Sequence, residues 1–223
     1  MEARLTEIPV EEALRYMGVR GVPDPRLAAD AARCRETLFA EARPRAVWRV
    51  FPLRPDGALD GTAFRLEGRD VRSWVRGADR VILMAATLGA ETETLIRRAQ
   101  RRDMADAMIL DALASAAIEN VCDNLCADLA REMAPASLTG RFSPGYGDFP
   151  LARQKELCAV LNVSRALGIS LTPGGLMIPQ KSVTAVLGVL PPGCGSGAET
   201  GPACARCTLS DQCTFRKEDL SDE

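Results

Sequence analysis

The stretch from Arg141 to Pro150 contains residue types that can bind a small polar ligand. Two glycines and two prolines within it predict a shaped loop rather than a continued helix. The guanidinium of Arg141 can clamp a carboxylate through two parallel hydrogen bonds, and the glycines beside Tyr146 let backbone N–H groups approach a ligand closely. These features predict a cradle for a zwitterionic small molecule. On residue types alone, an exposed turn with an ordinary surface arginine is the favoured interpretation.

Four cysteines near the C-terminus follow the spacing C-x9-C-x2-C-x5-C: Cys194, Cys204, Cys207 and Cys213. The residues between them are mostly small or polar, so four thiolates closing on a metal would supply folding free energy that this segment lacks. All-cysteine ligation fits either a [4Fe–4S] cluster or structural zinc. Because only Cys204 and Cys207 are closely paired, the spacing favours iron–sulfur. Free or disulfide-bonded tail cysteines are the alternative.

The composition excludes several kinds of chemistry. The chain has no histidine, which removes Ser-His and Cys-His nucleophile pairs, histidine metal sites and any imidazole ligand for a corrinoid cobalt. A net charge of −2 argues against a dedicated nucleic-acid binder. No apolar run reaches the ~18 residues of a membrane span, and the first residues lack the apolar region of a signal peptide. We therefore expect a cytoplasmic protein that binds neither nucleic acid nor membrane.

Two further groups of residues have open interpretations. Four arginines follow one another on a predicted helix: Arg97, Arg98, Arg101 and Arg102. Such a cluster is usually a solvated helix face, and the alternative is a docking surface for an acidic partner. Cys122 and Cys126 are four residues apart on a later helix, and two ligands do not complete a metal site, so we interpret both as packing residues.

The hydrophobic patterns predict an α+β fold. We expect a mostly antiparallel sheet with flanking helices and a small cysteine-rich C-terminal appendage. The longest helical pattern begins after Asp103, a suitable cap, and runs to about Met133. The run 63–67 is expected to form a hairpin with the first strand. The strands of the main sheet are predicted in the runs 46–53, 80–87, 168–172 and 182–190.

Three parts of the chain are expected. A helical segment, 1–45, is predicted to pack on a main domain, 46–190, and the cysteine tail, 191–223, follows. Pro191 and Pro192 mark the change of composition at the start of the tail.

The order Arg141…Gly145-Tyr146, or Arg-x-x-x-Gly-Tyr, resembles the S-adenosylmethionine-binding signature of the activation domain of cobalamin-dependent methionine synthase. The surroundings agree, because a long helical pattern precedes the loop. A segment that begins with Leu171-Thr172 and continues through Pro179 into a strand follows it. The resemblance extends over roughly residues 40–190.

In that family, the activation domain rescues cobalamin that has slipped to the inactive cob(II) state. One electron comes from a flavoprotein, and S-adenosylmethionine supplies the methyl group that traps cob(I). The resemblance implies that this chain serves the reductive reactivation, by methylation of cob(I)alamin, of a corrinoid methyltransferase such as methionine synthase. It further implies that Arg141 holds the ligand carboxylate, that Ser143 and Gly145 line the ligand, and that Tyr146 stands near the transferred methyl group.

The chain also departs from that family. The homocysteine, folate and cobalamin modules do not fit in 223 residues, so a corrinoid protein is expected as a separate partner, with a flavodoxin or ferredoxin as candidate electron donor. If the tail holds a low-potential cluster, the chain itself could deliver the electron. Two other classes stay open. One is a non-catalytic module that docks a corrinoid protein, and the other is an iron–sulfur electron-transfer or zinc protein that does not bind S-adenosylmethionine.

Overall fold

The computed structural model describes residues 3–193. Its helices are α1 (Val10–Tyr16), α2 (Pro25–Glu41), α3 (Arg69–Trp74), α4 (Ala90–Gln100), α5 (Met104–Met133), α6 (Arg153–Leu161) and α7 (Val163–Leu167). Its strands are β1 (Arg45–Pro52), β2 (Arg80–Thr87), β3 (Ser137–Leu138), β4 (Ser170–Leu171), β5 (Met177–Ile178) and β6 (Ser182–Leu190). This part of the chain confirms the predicted α+β class with a mostly antiparallel sheet and one long helix.

The main sheet has four strands in the order β1-β2-β6-β3, all antiparallel. Two strand predictions were wrong. The run 168–172 contributes only β4, which pairs with β5 in a separate two-stranded sheet, and the fourth strand of the main sheet is the short β3. The run 63–67 forms no hairpin with β1; within it Arg65 makes a single bridge to Ala58. Two-residue strands carry too little pattern for sequence periodicity to detect.

Helix α5 crosses one face of the sheet and organises that side of the molecule. Asp103 caps it as predicted, since its Oδ1 accepts a hydrogen bond from the Ala105 N–H at 2.8 Å. Alanines allow the helix to approach the strands closely: Ala112, Ala114, Ala116 and Ala117 are all buried. Helices α1, α2 and α4 pack around α5 in the same core, which includes the buried Cys34.

Helices α3, α6 and α7 cover the opposite face of the sheet. Leu157, Leu161 and Leu167 pack there beneath the odd-numbered residues of β2, such as Val81 and Leu83. The two faces therefore have separate cores, with the sheet between them. Among residues 3–193, no helix is both long enough and apolar enough to cross a bilayer.

Candidate functional site

The Arg141 side chain reaches the surface of α5, where two carboxylates hold it. Its Nη2 lies 2.7 Å from Glu119 Oε2 and its Nη1 lies 2.7 Å from Asp123 Oδ1. Glu119 and Asp123 are four residues apart, so one helical face presents both. Only 21% of the Arg141 side chain is exposed. One cation and two anions give this cluster a formal charge of −1.

Two thiols lie beneath this cluster on the same helix. Cys126 Sγ is 3.7 Å from Arg141 Nη1, and Cys122 is fully buried. Burial raises the pKa of the Cys122 thiol to about 12 and also raises the pKa of Cys126. Both thiols are therefore protonated at neutral pH and leave the negative charge of the cluster unchanged. Cys122 fills the packing role that the sequence predicted, and Cys126 is half-buried beside Arg141.

The loop begins as an extension of the sheet edge. Phe142 and Val186 exchange two backbone hydrogen bonds, of 3.0 and 2.9 Å. Because successive side chains alternate across a sheet, Arg141 points to the α5 side while Phe142 packs on the other face. There the Phe142 ring lies 5.4 Å from the ring of Trp74 and 6.3 Å from that of Phe149. Pairing with β6 thus aims the guanidinium at α5.

The turn that follows depends on glycine. Gly145 has a φ of +95°, a conformation that side chains rarely adopt, and its N–H donates to the carbonyl of Phe149 at 2.8 Å. Ser143 accepts a hydrogen bond from the Tyr146 N–H at 3.1 Å through its carbonyl. These bonds close the turn, so Ser143, Gly145 and Tyr146 lie together on one loop that begins at Arg141. The predicted site residues within residues 3–193 are therefore neighbours.

The far end of the loop is fixed to α3. Asp148 accepts hydrogen bonds from the N–H groups of Arg69 and Asp70, at 2.7 and 2.9 Å, and thereby caps a helix whose own N-cap residue, Gly68, has no side chain. In return, Asp70 accepts from the Asp148 N–H at 3.2 Å. These backbone bonds hold the pKa of Asp148 below its usual range. The loop is thus anchored by Arg141 at one end and by Asp148 at the other.

Tyr146 stands at the open side of the site. It is 61% exposed, and its ring meets the edge of Phe142 at 6.2 Å. Partial desolvation raises the pKa of its hydroxyl, and the charge of the nearby Glu119 raises it further, so the phenol is neutral. Leu151, Leu176 and Ile178 are also exposed. Leu151 lies against both Gly145 and Gly175, which joins the loop to the β4–β5 hairpin.

Helix α1 borders the same cluster. Tyr16 donates a hydrogen bond to Glu12 at 2.7 Å. Its pKa is raised by desolvation, by that bond and by the charges of Glu12 and Glu119. The carboxylate of Glu119 therefore influences groups on α1 as well as the Arg141 loop.

The cysteine ligands predicted for a metal, Cys194, Cys204, Cys207 and Cys213, lie outside the described residues. Within residues 3–193, no three histidine, cysteine or acidic side chains are arranged to hold a metal ion.

No family model and no curated protein match the sequence. A solved structure does match the fold: the MetH reactivation domain bound to AdoHcy. Its TM-score is 0.62 at 17% sequence identity, and the match covers 91% of this chain and 79% of that chain. The chain therefore has the fold of a reactivation domain.

Sequence reasoning missed Glu119 and Asp123. The available signal was an acidic pair four residues apart on a predicted helix, next to Cys122 and Cys126. Such a pair is common on exposed helix faces. The contact with Arg141, seen only in the folded chain, distinguishes Glu119 and Asp123 from such ordinary pairs.

Proposed function

We propose that this chain binds S-adenosylmethionine at the Arg141 loop and acts in the reductive reactivation of a corrinoid methyltransferase, such as methionine synthase, that is a separate protein. The Arg-x-x-x-Gly-Tyr motif and the reactivation-domain fold support this proposal independently. AdoHcy, bound in the similar structure, is what remains of S-adenosylmethionine after its methyl group has been transferred. The observation that carries the proposal is the placement of Arg141, between two carboxylates and beside the Gly145–Tyr146 turn.

The charges of the cluster suit this ligand. S-adenosylmethionine has a carboxylate, an ammonium and a sulfonium, so its net charge is +1. The guanidinium of Arg141 would hold the ligand carboxylate, since a fork of N–H donors matches a carboxylate's two oxygens. Glu119 and Asp123 would hold the ammonium, because their two negative charges exceed the single charge of Arg141. A net −1 cluster thereby complements a +1 ligand.

Ser143, Gly145 and Tyr146 would line the ligand between this cluster and the open side of the site. Bound there, S-adenosylmethionine supplies a methyl cation to the corrinoid of the partner. The chain's own residues would then position the donor and exclude water, which requires no general base. Tyr146 suits a position near the methyl group, because its phenol is neutral and exposed.

The corrinoid partner would dock on the exposed apolar side chains around the loop, namely Tyr146, Leu151, Leu176 and Ile178. Large apolar side chains grouped at the surface of a soluble domain commonly mark an interface. A flavodoxin or ferredoxin would supply the electron unless the cysteine tail does so. Quantification of iron, sulfide and zinc in anaerobically purified protein, beside a Cys204→Ser/Cys207→Ser variant, tests the tail separately.

The proposal is tested by calorimetric titration of the protein with S-adenosylmethionine and with methylthioadenosine, which keeps the nucleoside but lacks the amino-acid group. Saturable binding of the first, with binding of the second at least tenfold weaker, is expected. If S-adenosylmethionine does not bind, with or without a corrinoid methyltransferase present, the proposal is wrong and the iron–sulfur or zinc alternative is favoured. If S-adenosylmethionine binds but the chain does not restore the activity of an inactivated corrinoid methyltransferase, the non-catalytic docking module is favoured.

A further inference from the structure

A basic groove lies at the N-terminal end of α5. It is formed by α2, the C-terminal half of α4 and the first turns of α5, and its volume is about 250 Å³. The side chains of Leu95, Ala99 and Leu110 provide an apolar lining, and three arginines surround it: Arg33, Arg98 and Arg102. A shallow groove with an apolar lining and a cationic border differs from the flat solvated helix face that an arginine cluster usually forms.

Two of these cations have no counter-ion among residues 3–193. Arg33 contacts Asp106 through two hydrogen bonds of 2.7 and 3.0 Å and also meets Asp30, so its charge is compensated. Within residues 3–193, no hydrogen bond or ion pair engages the side chains of Arg98 or Arg102, and both are exposed.

The carboxylates that line the groove are already engaged. Asp106 is held by Arg33, and Asp103 caps α5 through the Ala105 N–H. Three arginines and two aspartates give the groove lining a formal charge of +1, and two of its guanidinium groups are contacted by no carboxylate of residues 3–193.

We propose that this groove is a docking surface for a partner protein that presents a carboxylate-rich segment with an apolar side chain among its acids. Guanidinium forks bind carboxylates in bidentate geometry. Arg98, near the end of α4, and Arg102, in the turn that follows α4, both line the groove, which suits two acids on one segment. The apolar side chain of the partner would cover Leu95 and Ala99. Nucleic acid fits less well, because none of the lining residues within 3–193 is aromatic and could stack on bases, and the net charge of the chain is −2.

This surface is independent of the Arg141 site. Asp103 precedes the Glu119–Asp123 pair by about 18 residues of helix, a distance of roughly 27 Å along the axis. A partner in the groove therefore leaves the Arg141 loop open to its ligand and to a second protein. The proposal holds whether or not the chain binds S-adenosylmethionine.

Fluorescence anisotropy of the full chain with a labelled peptide of Glu-Glu-Leu-Asp repeats tests the proposal. The wild type should bind this peptide at low ionic strength and release it as salt is added, because exposed charges are screened. Arg98→Glu/Arg102→Glu should weaken binding at least tenfold. The control is Arg20→Glu/Arg165→Glu, which changes the net charge equally at exposed arginines outside the groove and should alter binding less than twofold.

Three results would overturn the proposal. The first is that the wild type does not bind the acidic peptide. The second is an equal loss of peptide affinity in the control variant, which would show that binding depends on the overall charge of the chain rather than on the groove. The third is tighter binding of an oligothymidylate of the same charge, which would indicate a nucleic-acid surface. A circular dichroism melt of each variant shows whether it is folded.

Discussion

Arg141 and Lys181 both contact α5, and they differ in the number of carboxylates that each one meets. Lys181 lies 2.8 Å from Asp111 and donates a hydrogen bond to Ser115 at 2.9 Å, so one positive charge meets one negative charge. Arg141 meets two carboxylates. The two contacts are about 12 Å apart along the helix, and both cations are mostly buried.

The difference separates a structural contact from a candidate binding site. A balanced pair such as Lys181–Asp111 needs nothing more, and it joins α5 to the residue just before β6. The Arg141 cluster has one negative charge in excess, beside a glycine turn and an exposed tyrosine. A cationic ligand can neutralise that excess, whereas an anionic one would be repelled. We therefore expect ligand binding to respond to changes at Arg141 and stability to respond to changes at Lys181.

The largest expected effect follows from Arg141→Ala. Loss of a bidentate, charge-assisted contact to the ligand carboxylate should weaken S-adenosylmethionine binding by about 2 kcal/mol, or roughly thirtyfold. The variant should remain folded, because Glu119 and Asp123 are exposed enough to be hydrated when unpaired. Calorimetric titration gives the affinity. Lys181→Ala is the control, and an equal loss of affinity there would remove the distinction between the two contacts.

A smaller effect is expected from Glu119→Gln, which removes the excess negative charge. S-adenosylmethionine should bind about fivefold more weakly, corresponding to about 1 kcal/mol, while AdoHcy, which lacks the sulfonium charge, should lose less. The ratio of the two dissociation constants is the measurement. Asp128→Asn is the matched control on the same helix, since Asp128 pairs with Arg4 and Arg131 instead. An unchanged ratio in Glu119→Gln would contradict charge complementarity.

Lys181→Met should lower stability without changing ligand affinity by more than twofold. The Lys181 side chain is only 15% exposed, so loss of the contact to Asp111 should cost about 1 kcal/mol and lower the midpoint of thermal unfolding by about 2–4 °C. Differential scanning calorimetry with and without S-adenosylmethionine separates the two effects. If the ligand no longer raises the melting temperature, then Lys181 belongs to the binding site.

The smallest effect concerns the other anchor of the loop. Hydrogen bonds from the α3 N–H groups hold the pKa of Asp148 low, so its charged form stabilises the fold above the ordinary aspartate pKa near 3.9. That contribution is lost as the pH falls through the lower folded-state pKa. Asp148→Asn should therefore be less stable than the wild type at neutral pH, with the difference shrinking below about pH 4. Urea denaturation at several pH values measures it, and a difference that is constant with pH would contradict this account.

Much of the fold could be predicted because it depends on local pattern. The alternation in β6, the apolar run of β2 and the alanine-rich helical pattern of α5 each identify an element, and Asp103 marks where α5 begins. Errors occurred in the choice of pairing partners, both for segments distant in the chain, such as β3 and β6, and for neighbours, such as β4 and β5. Periodicity shows which face of a segment is apolar but not which segment it meets, so the run 168–172 was assigned to the wrong sheet, and β3 was missed.

For the candidate site, the sequence by itself determined the loop, its glycine turn and the order Arg141…Gly145-Tyr146. Only the tertiary structure decided what surrounds them. Arg141 follows Glu119 by 22 residues, and Asp148 caps a helix 78 residues before it. Contacts between solvent-accessible charges are individually weak and leave no sequence pattern. The folded chain brings them together because pairing of Phe142 with β6 and the position of α5 fix where each side chain points.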